Sequence, residues 1–256
     1  MKKNKTNLSI YCISHKYDKN LDKLDLRLIG SGALKKKFPS NWLNDSKGKK
    51  NISKKNLNYG SLTSIYWVWK NDINYLKSND FIGISHYRRF WLKENCNKKI
   101  SLANLKKNLL TTIPKRYNKY DAFVCSPINL KGYKISKLIK KGKKSLLKDP
   151  SILFNQKKHT INLHFNLFHI HNGLINACKL LNINDRDDFL EYVNTKTEYF
   201  PLSIFIMKKK FFDRLCLDTF KWLKKCEKIF ITSKLKSYGE VRIFDFLAER
   251  YFSFWI

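Results

Sequence analysis

Residues 81–91, FIGISHYRRFW, set His86, Tyr87, Arg88 and Arg89 directly behind a short apolar run. Arginine's planar fork of donors matches phosphate oxygens with two parallel hydrogen bonds, so this knot has the chemistry of an anion site. Phe90 and Trp91 then return the chain to apolar packing. A competing reading pairs Arg88 and Arg89 with acids on neighbouring helices, Glu249 for example. Four donor-rich residues immediately after a buried strand favour the site. His15, in ISHK, ends the first apolar run in the same way. In open α/β sheets ligands lie at the carboxyl ends of the strands, so the two runs could border one cleft.

Other clusters carry less. HTINLHFNLFHIH holds His159, His164, His169 and His171 within thirteen residues. On a helix His164 and His171 would stand roughly 10 Å apart, too far to share one ion at bonds of about 2 Å. His169 and His171 could share a face of an extended segment, but no third ligand is evident. Asp185 and Asp187 fall in NDRDD, which reads as a helix start with acids near the positive end of the dipole. Neither they nor Asp22 and Asp25 in LDKLD follow an apolar strand, so no metal-binding carboxylate pair is read there. GxGxxG, GxxxxGK[ST] and GxSxG are all absent from the chain, which leaves the dinucleotide, P-loop and α/β-hydrolase readings without their signatures.

The elements that must position these groups alternate. LSIYCISH (8–15) reads as a buried strand, 16–58 as loop-rich, and Leu62 to Leu76 as a helix with apolar residues three and four apart. FIGIS is a second strand, Ser101 caps a helix to about Leu110, and YDAFVCS is a third strand. The stretch 128–160 is the most basic and least periodic, a candidate mobile loop. Asn172 to Leu181 and Asp185 to Val193 read as helices, LSIFIM (202–207) as a strand, and a long helix carries Phe212, Cys216, Phe220, Leu223 and Cys226 on one face. Gly239 precedes a last helix, VRIFDFLAERYFSFW. This order predicts an α/β layered domain with a mostly parallel or mixed sheet flanked by helices, in one domain over 1–256.

At 256 residues the chain can bury about 70% of its unfolded surface. Six cysteines are scattered with no CxxC pair, and most of them read as reduced core thiols of a cytoplasmic protein. The basic opening lacks a signal-peptide core, and no run approaches the roughly 20 apolar residues of a membrane span. The protein is therefore expected to be soluble, or held peripherally on the inner face of the cell membrane. Lys and Arg number 52 against 20 Asp and Glu, a net +32. The abundance of Lys, Asn and Ile and the scarcity of Gly fit an AT-rich genome, and this favours solvated charge over a nucleic-acid groove.

Three blocks in the right order, NISKKNLNYGSLTSIYWVWKN with FIGISHYRRFW, then FIMKKKFFDRLC, then VRIFDFLAERYFSFWI, resemble the domain-of-unknown-function 4422 proteins of bacterial capsular and exopolysaccharide gene clusters. Those are regarded as glycosyltransferases. The resemblance implies a GT-A-like nucleotide-sugar-binding fold and transfer of a sugar, galactose-like, from a nucleotide-diphosphate donor to a glycan or lipid-linked glycan. Family positions matched are His15, Asn58, Tyr59, Trp67, His86, Tyr87, Arg88, Arg89, His171, Arg242, Glu249 and Arg250. By that resemblance Arg88 and Arg89 bind the donor diphosphate, His86 and Tyr87 shape the pocket, His15 lies near the nucleotide, and Asn58 and Tyr59 lie near the sugar. His171 belongs to the same substrate-binding set, and Glu249 is the candidate general base.

Many GT-A enzymes place a metal-holding carboxylate pair where this chain has HYRR. Cationic side chains could neutralise the leaving diphosphate directly, so no cofactor is required, although a divalent metal such as manganese is compatible. The chain departs from the family pattern at Lys50, Ser61, Ser203 and Asp245, which implies altered specificity or lost activity. Two rivals follow: a catalytically inactive carbohydrate-binding relative, and a basic nucleic-acid-binding protein. The second needs surface aromatics, whereas Trp67, Trp69 and Trp222 sit on apolar-patterned helices, so no specific nucleic acid is expected as a partner. The basic loops are expected to touch anionic membrane, where a lipid-linked acceptor would reside.

Overall fold

A computed structural model describes residues 7–94, 96 and 100–256. The strands, in chain order, are β1 (Leu8–Ser14), β2 (Arg27–Gly30), β3 (Leu43–Asn44), β4 (Phe81–His86), β5 (Ala122–Val124), β6 (Ile128–Asn129), β7 (Glu198–Tyr199) and β8 (Phe205–Lys208). The helices are α1 (Asn56–Tyr59), α2 (Leu62–Asn71), α3 (Leu102–Asn108), α4 (Ile135–Lys141), α5 (Lys143–Lys148), α6 (Ile161–Phe168), α7 (Gly173–Cys178), α8 (Ile183–Thr195), α9 (Lys209–Cys226), α10 (Tyr238–Val241) and α11 (Ile243–Trp255). Two compact units share them. The first runs to Val124 and takes in Ile204–Cys216; the second holds Cys125–Ser203 and Leu217–Ile256.

The first unit is built on a six-stranded sheet in the order β3-β2-β1-β4-β8-β5. β1 runs parallel to β2 and β4, and β2 runs parallel to β3, while β8 runs antiparallel to both β4 and β5. Strands buried on both faces read as continuous apolar runs, which is what LSIYCIS and FIGIS are. Gly83 interrupts β4 because a Cβ there would stand 2.9 Å from Ile10 and 3.1 Å from Ile206 on the adjoining strands. α2 turns Leu62, Ile65 and Val68 inward, each fully buried. It stops at Asn71, short of the expected Leu76, and the Asp72 carboxylate just beyond binds the Arg27 guanidinium at 2.5 Å. β2 and β3 lie inside the stretch expected to be loop-rich; at four and two residues they are too short to show a period.

In the second unit α6, α7, α8 and α11 surround Phe165, Leu174, Phe189, Val193, Leu247 and Tyr251, with Trp222 of α9 among them. Phe189 meets Tyr251 at 5.6 Å and Phe254 at 5.0 Å between ring centroids. The basic stretch expected as loop holds β6, α4 and α5, pinned by Leu138 and Ile152 against Leu163 and Leu167. Gly142 divides two helices of seven and six residues, and the density of lysine hides their period. Among the described residues no helix is long and apolar enough to cross a membrane.

Because Ile65 is fully buried, Ile65→Ala should cost the first unit about 3 kcal/mol. Chemical denaturation measures this, and a loss under about 1 kcal/mol would show that the site collapses around the missing atoms.

Candidate functional site

Since β1, β2, β3 and β4 are mutually parallel, their carboxyl ends share one edge of the sheet. The residues that leave it are His15, Ser31, Asp45 and Tyr87. Backbone bonds carry the ladders past the strands: Ser31 N–H to Ser14 O at 2.8 Å, Asp45 N–H to Gly30 O at 3.2 Å and Tyr87 N–H to Ile13 O at 3.1 Å. The loops therefore start from fixed positions.

A buried polar knot holds that edge. Asp45 has no solvent exposure, and its carboxylate accepts from the Gly32 N–H at 2.8 Å, the Ala33 N–H at 3.0 Å and the Thr63 hydroxyl at 2.5 Å. The Asn56 amide reaches Thr63 Oγ1 and Gly60 O at 2.9 Å and Ser31 Oγ at 3.0 Å. Gly32 is required at its place: its φ is +79°, and a Cβ would stand 2.6 Å from Asn56 Oδ1. The knot ties the loops after β2 and β3 to the turn between α1 and α2, and so sets Asn58 and Tyr59 at this edge. Asn58 is half-buried, and the Tyr59 ring is buried with the Lys55 ammonium 5.7 Å from it. Sequence reasoning missed Ser31, Asp45, Asn56 and Thr63. The one available signal was Gly30-Ser31-Gly32 closing an apolar RLIG run.

His86 through Arg89 form a tight turn. Arg89 N–H donates to His86 O at 2.8 Å and His86 N–H donates to Arg89 O at 3.2 Å, which leaves Tyr87 and Arg88 at the tip. Trp91 anchors the returning chain through its indole N–H on Ile84 O at 3.0 Å. The turn meets His15: its ring stands edge-on to Tyr87 at 4.9 Å, with the Arg88 guanidinium 4.8 Å and the Lys16 ammonium 5.7 Å from the same phenol. Arg88 and Arg89 are exposed, and neither has an ion-pair partner among the described residues. The structure thus brings together His15, His86, Tyr87, Arg88 and Arg89. Three cationic or ionisable nitrogen side chains, His15, Lys16 and Arg88, surround one phenol, and this turn offers no carboxylate that would suit a divalent cation.

Glu249 and His171 belong to the second unit. The Glu249 carboxylate, buried in α11, accepts from the Leu202 N–H and from the neighbouring Arg250 guanidinium. Burial raises its pKa, and Arg250 opposes that rise. Leu202 and Ser203 both have left-handed backbone, at φ 71° and 51°, so Glu249 clamps a strained corner. Arg250 also donates to His164 Nδ1 at 3.0 Å and lies 4.4 Å over the Tyr199 ring. Arg242 pairs with Asp245, one of the positions departing from the family pattern. His171 is half-buried, and burial followed by Lys144 and Lys148 lowers its pKa.

The remaining histidines are ring contacts. His169 stacks on Phe246 at 4.1 Å, and its Nδ1–H donates to Gly239 O at 2.9 Å. His159 Nε2 meets Ile152 O at 3.0 Å. Among the described residues no three His, Cys, Asp or Glu converge as a metal-binding group. Asp22 is bound by the Trp42 indole at 2.6 Å, and Asp185 by the Tyr251 hydroxyl at 3.0 Å. Trp67 and Trp222 are buried.

The model of a family described as a domain of unknown function, DUF4422, matches residues 9–256. A solved structure described as the WbbM bifunctional glycosyltransferase in its apo form superposes with a TM-score of 0.68 at 20% identity, over 97% of this chain and 42% of that one. The chain therefore spans less than half the length of the protein it matches, and the likeness is one of fold, α/β with a mixed sheet flanked by helices. No curated protein matches.

Two outcomes follow. Asp45→Asn sets an amide against the Gly32 and Ala33 N–H groups, so it should cost about 3 kcal/mol in chemical denaturation; a cost below about 0.5 kcal/mol would mean the knot is dispensable. The second concerns pH. Burial, reinforced by Arg250, lowers His164 to about 2 and His169 to about 3, from 6.5. Between those limits the unfolded chain binds more protons, so stability is complete above about pH 6.5 and is lost as pH falls, by up to about 1.4 kcal/mol per pH unit for each histidine. The raised Glu249 offsets part of this loss. In thermal unfolding from about pH 7 to pH 5, His164→Gln should show roughly half the wild-type slope, and an unchanged slope would contradict a neutral His164.

Proposed function

The chain belongs to the family described as a domain of unknown function, DUF4422, and on that premise we propose that it is a glycosyltransferase, moving a galactose-like hexose from a nucleotide-diphosphate donor to a glycan or lipid-linked glycan in bacterial surface polysaccharide synthesis. Fold alone does not carry chemistry. The observation that supports the reading is the pair of exposed guanidiniums, Arg88 and Arg89, on a tight turn at the shared carboxyl edge of four parallel strands, with no acidic partner among the described residues.

Transfer releases a nucleoside diphosphate, and negative charge grows on its phosphate oxygens as the glycosidic bond breaks. Donors fixed beforehand stabilise that charge without reorganising. Arg88 and Arg89 take the diphosphate, Lys16 adds a positive charge, and Tyr87, wedged against His15, holds the shape of the pocket. The turn's cations do the neutralising, with no metal required. Asn58, beside the polar knot, takes sugar hydroxyls in this reading. Glu249 was the base expected from the family pattern. Its carboxylate is engaged by Arg250 and by Leu202 N–H, so we assign it to holding the Leu202–Ser203 corner.

The test is a thermal-shift titration with uridine, guanosine, cytidine and thymidine diphosphates, in chelator and with manganese. One nucleotide should stabilise the protein in chelator, and Arg88→Ala or Arg89→Ala should weaken it roughly 10- to 100-fold, the loss of a charged hydrogen bond. Strict manganese dependence would overturn the metal-free site. A selective shift without turnover of the matching nucleotide sugar would point to a catalytically inactive carbohydrate-binding relative.

A further inference from the structure

We propose that α4, α5 and the 3-10 turn Pro150–Leu153 of the second unit form a face that docks on an anionic lipid bilayer.

Four large apolar side chains stand out from this stretch into solvent. Leu147 is 85% exposed, Phe154 82%, Ile135 52% and Ile139 49%. Ile135 and Ile139 are one turn apart on α4 and share a side of that helix. They do not reflect loose structure, because Leu138, Ser145 and Ile152 of the same segment are buried, and Leu138 and Ile152 rest on Leu163 and Leu167 of α6. The platform is fixed inward while its apolar tips point outward. Large apolar side chains left this exposed within one short segment of a folded protein mark an interaction surface.

Charge identifies the partner. Residues 131–158 hold ten lysines and one acidic residue, Asp149. Asp149 is itself taken by Lys158 at 2.5 Å, so the field over the face is positive and nearly uncompensated. Short helices with lysines around protruding Ile, Leu and Phe match the boundary between phosphate headgroups and acyl chains. There the ammonium groups stay with the headgroups while the apolar tips enter the hydrocarbon. A nucleic acid would use arginines and flat rings for stacking, and this stretch has no arginine. Protein partners favour Tyr, Trp and Arg over lysine. The proposal does not depend on donor chemistry, since docking needs no nucleotide.

Because the whole chain carries +32, the test must separate this face from net charge. Sedimentation of the full chain is measured with vesicles of phosphatidylcholine alone and of roughly two parts phosphatidylcholine to one part phosphatidylglycerol. One variant reverses Lys140, Lys141, Lys143 and Lys144 to Glu. A charge-matched control reverses Lys35, Lys36, Lys37 and Lys49, all exposed in the first unit. A third variant is Leu147→Ser with Phe154→Ser, at exposed sites where folding is not at stake.

The wild type should bind the anionic vesicles only. At roughly fivefold per lysine near the surface, the face variant should lose several hundred-fold in partitioning while the control loses no more than a few-fold. The serine variant should lose the binding that survives about 0.5 M salt. Equal losses in the two charge variants would overturn the proposal in favour of net charge. An undiminished serine variant, or displacement of the vesicles by inorganic phosphate, would overturn it in favour of a simple anion site. Self-association without vesicle binding would overturn it in favour of a second copy of the chain.

Discussion

Asp45 carries a carboxylate into a place with no solvent, where each lone pair must find a donor or leave its desolvation uncompensated. The donors are the backbone N–H groups of Gly32 and Ala33 and the hydroxyl of Thr63. That requirement fixes the path of the loop after β2, demands a left-handed glycine at position 32, and locks the first turn of α2 to the end of β3. Asn56 extends the same accounting to Ser31 and Gly60. What emerges at the sheet edge is a rigid floor, from which His15 and the HYRR turn rise with their cations outward.

Arg250 performs the corresponding task in the second unit with the opposite sign. A guanidinium only 1% exposed is met by Glu249, by His164 Nδ1 and by the face of Tyr199. The arrangement needs His164 as an acceptor at Nδ1 and His169 as a donor there, so two histidines five residues apart hold opposite tautomers. The histidine run that looked like a metal motif is explained by this electrostatic role and by ring contacts.

What the sequence revealed follows physical rules about length and locality. β1 and β4 were legible because mostly apolar runs end abruptly in polar residues, and α9 because its apolar residues recur three and four apart along one face. β2 and β3 were not, being stretches of four and two residues whose pairing is supplied by the neighbouring strands. HYRR stood out because four polar residues abruptly end a buried strand. Asp45 did not, since an aspartate in LNDS is indistinguishable from a turn residue until the fold surrounds it. Glu249 was legible as a residue of interest but not in its partners: that it binds a backbone N–H more than forty positions away is a tertiary fact. Ser203, a departure from the family pattern, occupies a left-handed position that a residue such as asparagine adopts more readily.

The outermost strands of the six-stranded sheet, β3 and β5, are two and three residues long. Each offers a neighbouring chain too few unpaired backbone groups to template the six- or seven-residue segments from which amyloid-like stacks grow. A lysine-rich chain pushed far from neutrality therefore has two independent guards against self-assembly: mutual repulsion at long range, and, among the described residues, sheet edges too short to extend at contact. High salt should remove the first guard and leave the second in place, so the protein should tolerate concentrated solution better than its wealth of β-branched and aromatic residues implies.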